Sequence, residues 1–221
     1  MPGFQIKVCG ITSPADARLA VEAGADALGL NFYANSPRFL EPRRAGQIVA
    51  ALAGQPVVKV GLFVNEPAEA VARVCVELGL DLVRLHGDEP PEYLRRLTGR
   101  PVMRAFRVGP AGLGPVFDYL GRCAELGAMP ARVLLDSYAK GVYGGSGQSG
   151  DWAVLAQYPG EDRPPLVLAG GLGPENVATA IRAVRPAAVD VASGVELAPG
   201  RKSSELMARF VALARSAFKQ V

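Results

Sequence analysis

The chain has 221 residues, of which 49% are hydrophobic and 20% charged, and its net charge is +3. That length allows one domain or at most two small ones, buries a full core without disulfide or metal staples, and has the balance of a globular chain rather than a disordered one. No apolar run approaches the ~18 residues of a spanning helix, and the start lacks the long apolar stretch of a signal peptide, so a cytoplasmic protein with no membrane partner is expected.

Short β-branched or apolar runs alternate with longer amphipathic stretches. The strands are expected at residues 4–8, 26–32, 57–64, 80–85, 101–106, 132–136, 166–169 and 188–192. Helical patterns fall between and after them, at 14–23, 42–53, 67–78, 91–97, 114–125, 152–157, 174–184 and 203–218. Ser13-Pro14 and Gly173-Pro174 read as helix starts, a turn residue before proline at the first helical position. Ala23-Gly24 and Leu78-Gly79 read as stops, because glycine readily takes the left-handed conformation that ends a helix. Eight strand–helix units argue for a parallel sheet of the α/β class. Within one domain spanning 1–221 they favour a closed (β/α)8 TIM barrel, trimmed against the usual ~250 residues. A doubly wound open sheet is the alternative, and the glycine fingerprint of its dinucleotide-binding form is missing after the first strand, which reads VCGITSP.

The basic residues are scattered, with no dense cluster beyond pairs such as Arg43-Arg44 and Arg95-Arg96. A nucleic-acid partner would want a concentrated basic face, so none is expected. Cys9, Cys75 and Cys123 are odd in number and far apart, which suggests neither a disulfide framework nor a metal site. One histidine, His86, removes most zinc sites and leaves a serine triad a single candidate base.

In such a barrel the active site forms at the carboxyl ends of the strands. The residues there are Cys9, Asn31, Arg38, Asn65, His86, Arg107, Asp136, Gly170-Gly171 and Ser193-Gly194. Alternation along FQIKVC puts Phe4, Ile6 and Val8 on the helix-facing side and Lys7 and Cys9 inside, Cys9 at the mouth. The same alternation turns Asp136 toward the mouth and Asp190 inward, beside Lys7 once the barrel closes. A lone buried charge is very costly, so Lys7 and Asp190 are expected to pair. Two glycine-rich turns, LAGGL at 168–172 and ASGVE at 192–196, follow the last two strands. Exposed backbone N–H groups at that corner of a barrel suit a phosphate, and glycine lets the backbone approach it. The third glycine segment, 141–150, reads either as a lid over the mouth or as a surface connection.

These pieces resemble the phosphoribosylanthranilate isomerase family. The likeness runs from Lys7 to Ser203 and rests on KVCGIT at 7–12, SPR at 36–38, VGLFVN at 60–65, RLHGDE at 84–89, LLDS at 134–137, GGSG at 144–147, LAGGLGPENV at 168–177 and DVASGVE at 190–196. The resemblance implies an Amadori rearrangement of a phosphoribosyl-anthranilate aminoaldose in tryptophan biosynthesis, by acid–base catalysis with no cofactor and no metal. By similarity Asp136 is the general acid and Cys9 the general base. Arg38 holds the anthranilate carboxylate, and Gly171, Ser193 and Gly194 hold the phosphate. His86 and Gly145 join them as substrate-binding candidates, His86 with an alternative reading as a structural hydrogen-bonding group. The chain is expected to act as a monomer or homodimer, with no fused indoleglycerol-phosphate synthase half. It departs from the family pattern at Arg84, where glutamine is usual, at Asn31, usually apolar, and at Ser146, Gly150 and Ser203-Ser204. Competing readings are a metal-dependent phosphosugar epimerase or a diphosphate-using transferase, for which metal ligands are sparse, and a silent phosphoanion-binding protein, which would not need both Cys9 and Asp136.

Overall fold

The computed structural model describes residues 3–97, 99–136, 152–158, 160 and 162–221. Eight strands close into a parallel barrel: β1 (Ile6–Cys9), β2 (Ala27–Asn31), β3 (Val58–Phe63), β4 (Leu82–Leu85), β5 (Val102–Arg107), β6 (Arg132–Asp136), β7 (Leu166–Ala169) and β8 (Ala188–Val191). The helices are α1 (Pro14–Glu22), α2 (Pro42–Ala50), α3 (Ala68–Leu78), α4 (Pro91–Leu94), α5 (Gly114–Glu125), α6 (Trp152–Leu155), α7 (Val177–Val184) and α8 (Ser204–Phe218). β8 pairs with β1 and closes the ring, Lys7 standing beside Asp190. The open-sheet alternative is thereby excluded. A small antiparallel hairpin, β9 (Glu196–Ala198) with β10 (Arg201–Lys202), is inserted before α8.

The strands are almost continuously apolar because both of their faces are covered, as parallel sheets require. Ile6, Val8, Leu28, Leu30, Leu135 and Val189 point outward into the main core under the helices. Leu82, Met103, Leu134 and Val167 point inward and fill the lower half of the barrel. Phe4 corrects the sequence reading. It lies before β1, outside the reach of strand alternation, and belongs to the inner plug rather than the helix-facing side. The Arg132 guanidinium lies 4.3 Å from its ring centroid.

Ser13 caps α1 by accepting from the Asp16 N–H at 3.0 Å, and Gly79 ends α3 at φ +58°. Gly173-Pro174 does not start a helix. α7 begins at Val177, because the Asn176 side chain accepts from Gly173 N and donates to Gly171 O, both at 2.9 Å, and holds the preceding residues in a turn. The fourth helical stretch breaks after Leu94 into a 3-10 turn over Arg95–Leu97.

Candidate active site

Above the apolar plug the inner face of the barrel turns polar. Lys7 donates to Asp190 Oδ1 at 2.7 Å, the pairing that strand parity requires. The structure adds a third member, Arg84, whose Nη1 donates to Asp190 Oδ2 at 2.6 Å. All three are buried. Burial disfavours the Asp190 carboxylate, but Lys7 and Arg84 outweigh it and hold its pKa below the ordinary range. Burial likewise opposes the Arg84 charge, and Asp190, Cys9 and Asp136 outweigh it and raise the guanidinium pKa.

Cys9 ends β1 just above this cluster. Its Sγ receives a longer, 3.6 Å contact from Arg84 Nη1. Space for the thiol comes from Gly29, across from Cys9 on β2. A Cβ at Gly29 would stand 2.6 Å from Cys9 Sγ and 2.8 Å from Lys7 Nζ. Asp136 ends β6 at the same rim and is half-buried. Cys9 and Asp136, deduced separately from strand ends, therefore stand on one mouth.

His86 follows β4. Arg84 Nη2 lies 2.9 Å from its Nδ1, and since a guanidinium only donates, Nδ1 is the acceptor and the ring proton sits on Nε2. Burial, then the nearby Arg84 and Arg107 cations, pull the His86 pKa down to about 3. Nε2 is buried and finds no partner among the described residues. His86 is thus a neutral donor in a site rich in cations.

Arg38 does not pair with the nearby Glu41. Its Nε and Nη2 grip Glu196 at 2.8 and 2.6 Å. Two local features aim it. Asn31 donates to Ser36 Oγ at 2.9 Å and accepts from Tyr33 N at 2.9 Å. Ser36 Oγ in turn accepts from Arg38 N at 3.1 Å. Gly10, at φ +73°, leaves the floor on which the Arg38 stem lies; a Cβ there would be 2.3 Å from Arg38 Cδ. Arg38 therefore crosses the chain one residue beyond Cys9.

The two glycine turns meet as the sequence suggests. A Cβ on Gly194 would stand 1.9 Å from the Leu172 carbonyl oxygen, so only glycine permits this approach. Gly171, at φ +61°, faces open space, and Ser193–Val195 form a 3-10 turn beside it. Gly145 and the segment 141–150 lie outside the described residues.

Sequence reasoning missed several buried charges. Glu89 accepts from Asn65 N at 2.8 Å and from Gly87 N at 3.0 Å, and lies 3.4 Å from Arg104. It stitches the loops after β3 and β4, which gives two of the family segments, VGLFVN and RLHGDE, a structural job. Glu196 and Lys202 were also missed; they pair with each other, but their further partners Arg38 and Cys9 are distant in sequence. Among the described residues no three His, Cys, Asp or Glu side chains gather as a metal site, and no helix is long and apolar enough to cross a membrane.

A family model described as N-(5'phosphoribosyl)anthranilate (PRA) isomerase matches residues 6–213. The chain is 49% identical over 217 residues to the N-(5'-phosphoribosyl)anthranilate isomerase of Trichlorobacter lovleyi, covering 97% of this chain and 99% of that relative. The crystal structure of phosphoribosyl anthranilate isomerase from Thermotoga maritima matches with a TM-score of 0.83 at 39% identity, over 96% of this chain and 99% of that one. A second crystal structure of such an isomerase, in complex with reduced 1-(o-carboxyphenylamino)-1-deoxyribulose 5-phosphate, matches at a TM-score of 0.80 and 36% identity, over 96% and 99% of the two chains.

Proposed function

The chain belongs to the N-(5'-phosphoribosyl)anthranilate isomerase family, and from that premise we propose that Cys9 and Asp136 carry its reaction as base and acid. The activity is the isomerisation of N-(5'-phosphoribosyl)anthranilate in tryptophan biosynthesis. The observation that carries the assignment is the shared rim: Cys9 closes β1, Asp136 closes β6, and the stem of Arg38 lies over Gly10, next to Cys9.

The chemistry is an Amadori rearrangement. Asp136 gives a proton to the furanose ring oxygen as the C1′–O bond breaks, which avoids an alkoxide and leaves an iminium at C1′. Conjugation to that iminium acidifies C2′–H. Cys9 removes the C2′ proton, the electron pair forms an enolamine, and tautomerisation gives the 1-amino-1-deoxyketose. Aldose and ketose have the same oxidation state, so one acid and one base suffice and no redox cofactor or metal is assigned. A thiol serves as base here because its substrate is strongly acidified in the step before.

Arg38 takes the anthranilate carboxylate, since a planar guanidinium grips a carboxylate through two parallel charge-assisted bonds. Backbone N–H groups of Gly171, Ser193 and Gly194 take the phosphate. His86 donates from Nε2 to the bound substrate, and Gly145 contacts it from the segment after β6. Residues 1–221 act as one catalytic domain, cytoplasmic, as a monomer or homodimer, with a small-molecule substrate and no nucleic-acid partner.

The test is loss of substrate anthranilate fluorescence, measured with a metal chelator present. Wild type should run at full rate. Cys9→Ala and Asp136→Asn should each lose at least ~10²-fold in kcat, the scale of a positioned acid or base. Near wild-type turnover in either variant removes its assigned role, and chelator-sensitive activity restored by a divalent ion removes the metal-free scheme.

A further inference from the structure

The Arg38 guanidinium is held by a partner that the reaction scheme does not use. Glu196 occupies its Nε and Nη2 edge at 2.8 and 2.6 Å. The Glu196 side chain is 4% exposed, whereas that of Arg38 is 21% exposed. Glu196 Oε1 also accepts from Lys202 Nζ at 2.8 Å. The Lys202 side chain is fully buried. Its Nζ has two further acceptors, Cys9 O at 2.6 Å and Ala192 O at 3.0 Å. Burial opposes the ammonium and lowers its pKa, and the Glu196 carboxylate opposes that shift; three acceptors match the three donors of an ammonium, so the geometry holds Lys202 as the cation.

The arithmetic of charge gives the arrangement a consequence. Arg38 and Glu196 alone sum to zero, and a neutral pair whose carboxylate sits beside the incoming one attracts an anion poorly. Lys202 brings the sum to +1. An arriving carboxylate on the Nη1 side of Arg38, which has no partner among the described residues, then neutralises the group. The same lysine is bonded to the carbonyl of Cys9 and to the residue before Ser193, so the group is tied to the reacting thiol and to the phosphate turn.

The hairpin explains how this is built. Lys202 pairs with Glu196 across β9 and β10. At its tip Gly200 packs against Pro37, and its carbonyl accepts from Thr12 Oγ1. The strap thus closes over the loops after β1 and β2, the two that carry Cys9 and Arg38.

We propose that Glu196 and Lys202 are positioning and specificity residues, which with Arg38 form a carboxylate-binding unit of net charge +1: Glu196 fixes the guanidinium plane and Lys202 supplies the excess positive charge. The proposal rests on the reading that Arg38 receives the anthranilate carboxylate. A strap serving only as a structural staple would show no dependence on the sign of charge removed.

The experiment is steady-state kinetics on the carboxylated substrate and on an analogue made from aniline, which lacks the carboxylate. Lys202→Met makes the unit neutral and should raise KM for the carboxylated substrate about tenfold more than for the analogue, the scale of one charge-assisted contact, while any loss of kcat from the freed Cys9 and Ala192 carbonyls falls on both substrates alike. Glu196→Gln is isosteric and raises the unit to +2; KM should fall or hold while kcat drops severalfold, because the guanidinium is no longer gripped on two oxygens. The readout is the ratio of kcat/KM between the two substrates: it should fall about tenfold in Lys202→Met through KM and severalfold in Glu196→Gln through kcat. If both variants raise KM, or if both substrates suffer alike, the proposal is overturned. Should Lys202→Met fail to fold, Glu196→Gln decides alone by the sign of its KM change, with a rise overturning the proposal. Arg38→Ala separates the underlying reading: if it leaves the preference for the carboxylated substrate intact, the carboxylate binds elsewhere, whatever Glu196 and Lys202 do.

Discussion

Asp190 carries the sharpest energetic prediction in the barrel. Among the described residues it is the one carboxylate paired with Lys7 and Arg84, at 2.7 and 2.6 Å, and all three side chains are at most 5% exposed. The cluster sums to +1 and sits where water is excluded. Asp190→Asn would leave two buried cations sharing one amide oxygen. Breaking a buried pair by removing one partner costs about 3–5 kcal/mol, because the remaining charge is uncompensated. Two cations remain here, so the upper half of that range is expected, a large share of the ~5–15 kcal/mol that stabilises a typical domain. The triple variant Lys7→Met, Arg84→Met, Asp190→Leu should behave oppositely. Replacing a whole buried ionic cluster by apolar residues of similar volume is about neutral, or stabilising by ~1–4 kcal/mol. Denaturant unfolding at matched m-values measures both. The triple variant should fold well yet lose activity, since it removes the guanidinium that touches Cys9 Sγ and orients His86. A cost below about 1 kcal/mol for Asp190→Asn, or a triple variant as unstable as the single one, would refute the claim that charge balance rather than packing governs this layer.

Three further outcomes follow from the geometry. Gly29→Ala should cost about 1–3 kcal/mol by overpacking and lower kcat more than KM, because the new methyl would meet Cys9 Sγ at 2.6 Å; a fully active variant shows that the thiol has room to move. Gly194→Ala should raise KM with a smaller effect on kcat, since its Cβ would meet backbone at Leu172 O, 1.9 Å away, and force the phosphate turn open; titration with inorganic phosphate as a competitive inhibitor checks this directly. His86 is neutral in the folded protein with its pKa pulled down to about 3, whereas the unfolded chain binds its proton near pH 6.5, so stability falls as pH drops from about 6.5 toward 3. Between pH 7 and 5 the loss should be about 2 kcal/mol, and His86→Gln should remove that part of the slope in denaturation midpoints taken across this range.

Much of this site is legible in the sequence, and the parts that are not share a physical cause. Strand ends and strand parity depend on neighbours one or two residues away. Cys9 and Asp136 at the mouth, and Lys7 facing Asp190, therefore follow from FQIKVC, RVLLDS and AVDVAS once eight units close a ring. Phe4 fails the same rule because alternation holds only inside a paired strand, and pairing begins at Ile6. Gly173-Pro174 fails as a helix start because the Asn176 side chain closes a turn first, a side-chain competition that composition does not reveal. Arg84 is visible as an inward cation, but its engagement of Asp190 spans 106 residues. The grip of Glu196 on Arg38 spans 158 and that of Lys202 on the Cys9 carbonyl spans 193. Such pairs are set by barrel closure and by the strap, not by local propensity. Their common feature is chemical: a buried charge must find its opposite, so inward cations on the upper barrel oblige an acid within reach, which two of them can share, as Lys7 and Arg84 share Asp190. Counting inward charges of both signs, once parity is assigned, narrows the search for those partners to the acids near the strand ends. Applied to Arg84 and Lys7 the rule leads to Asp190. Arg38, on the loop after β2, lies outside that rule: it passes over Glu41, three residues away and exposed, for the glutamate of SGVE, whose side chain is 4% exposed and requires a cation.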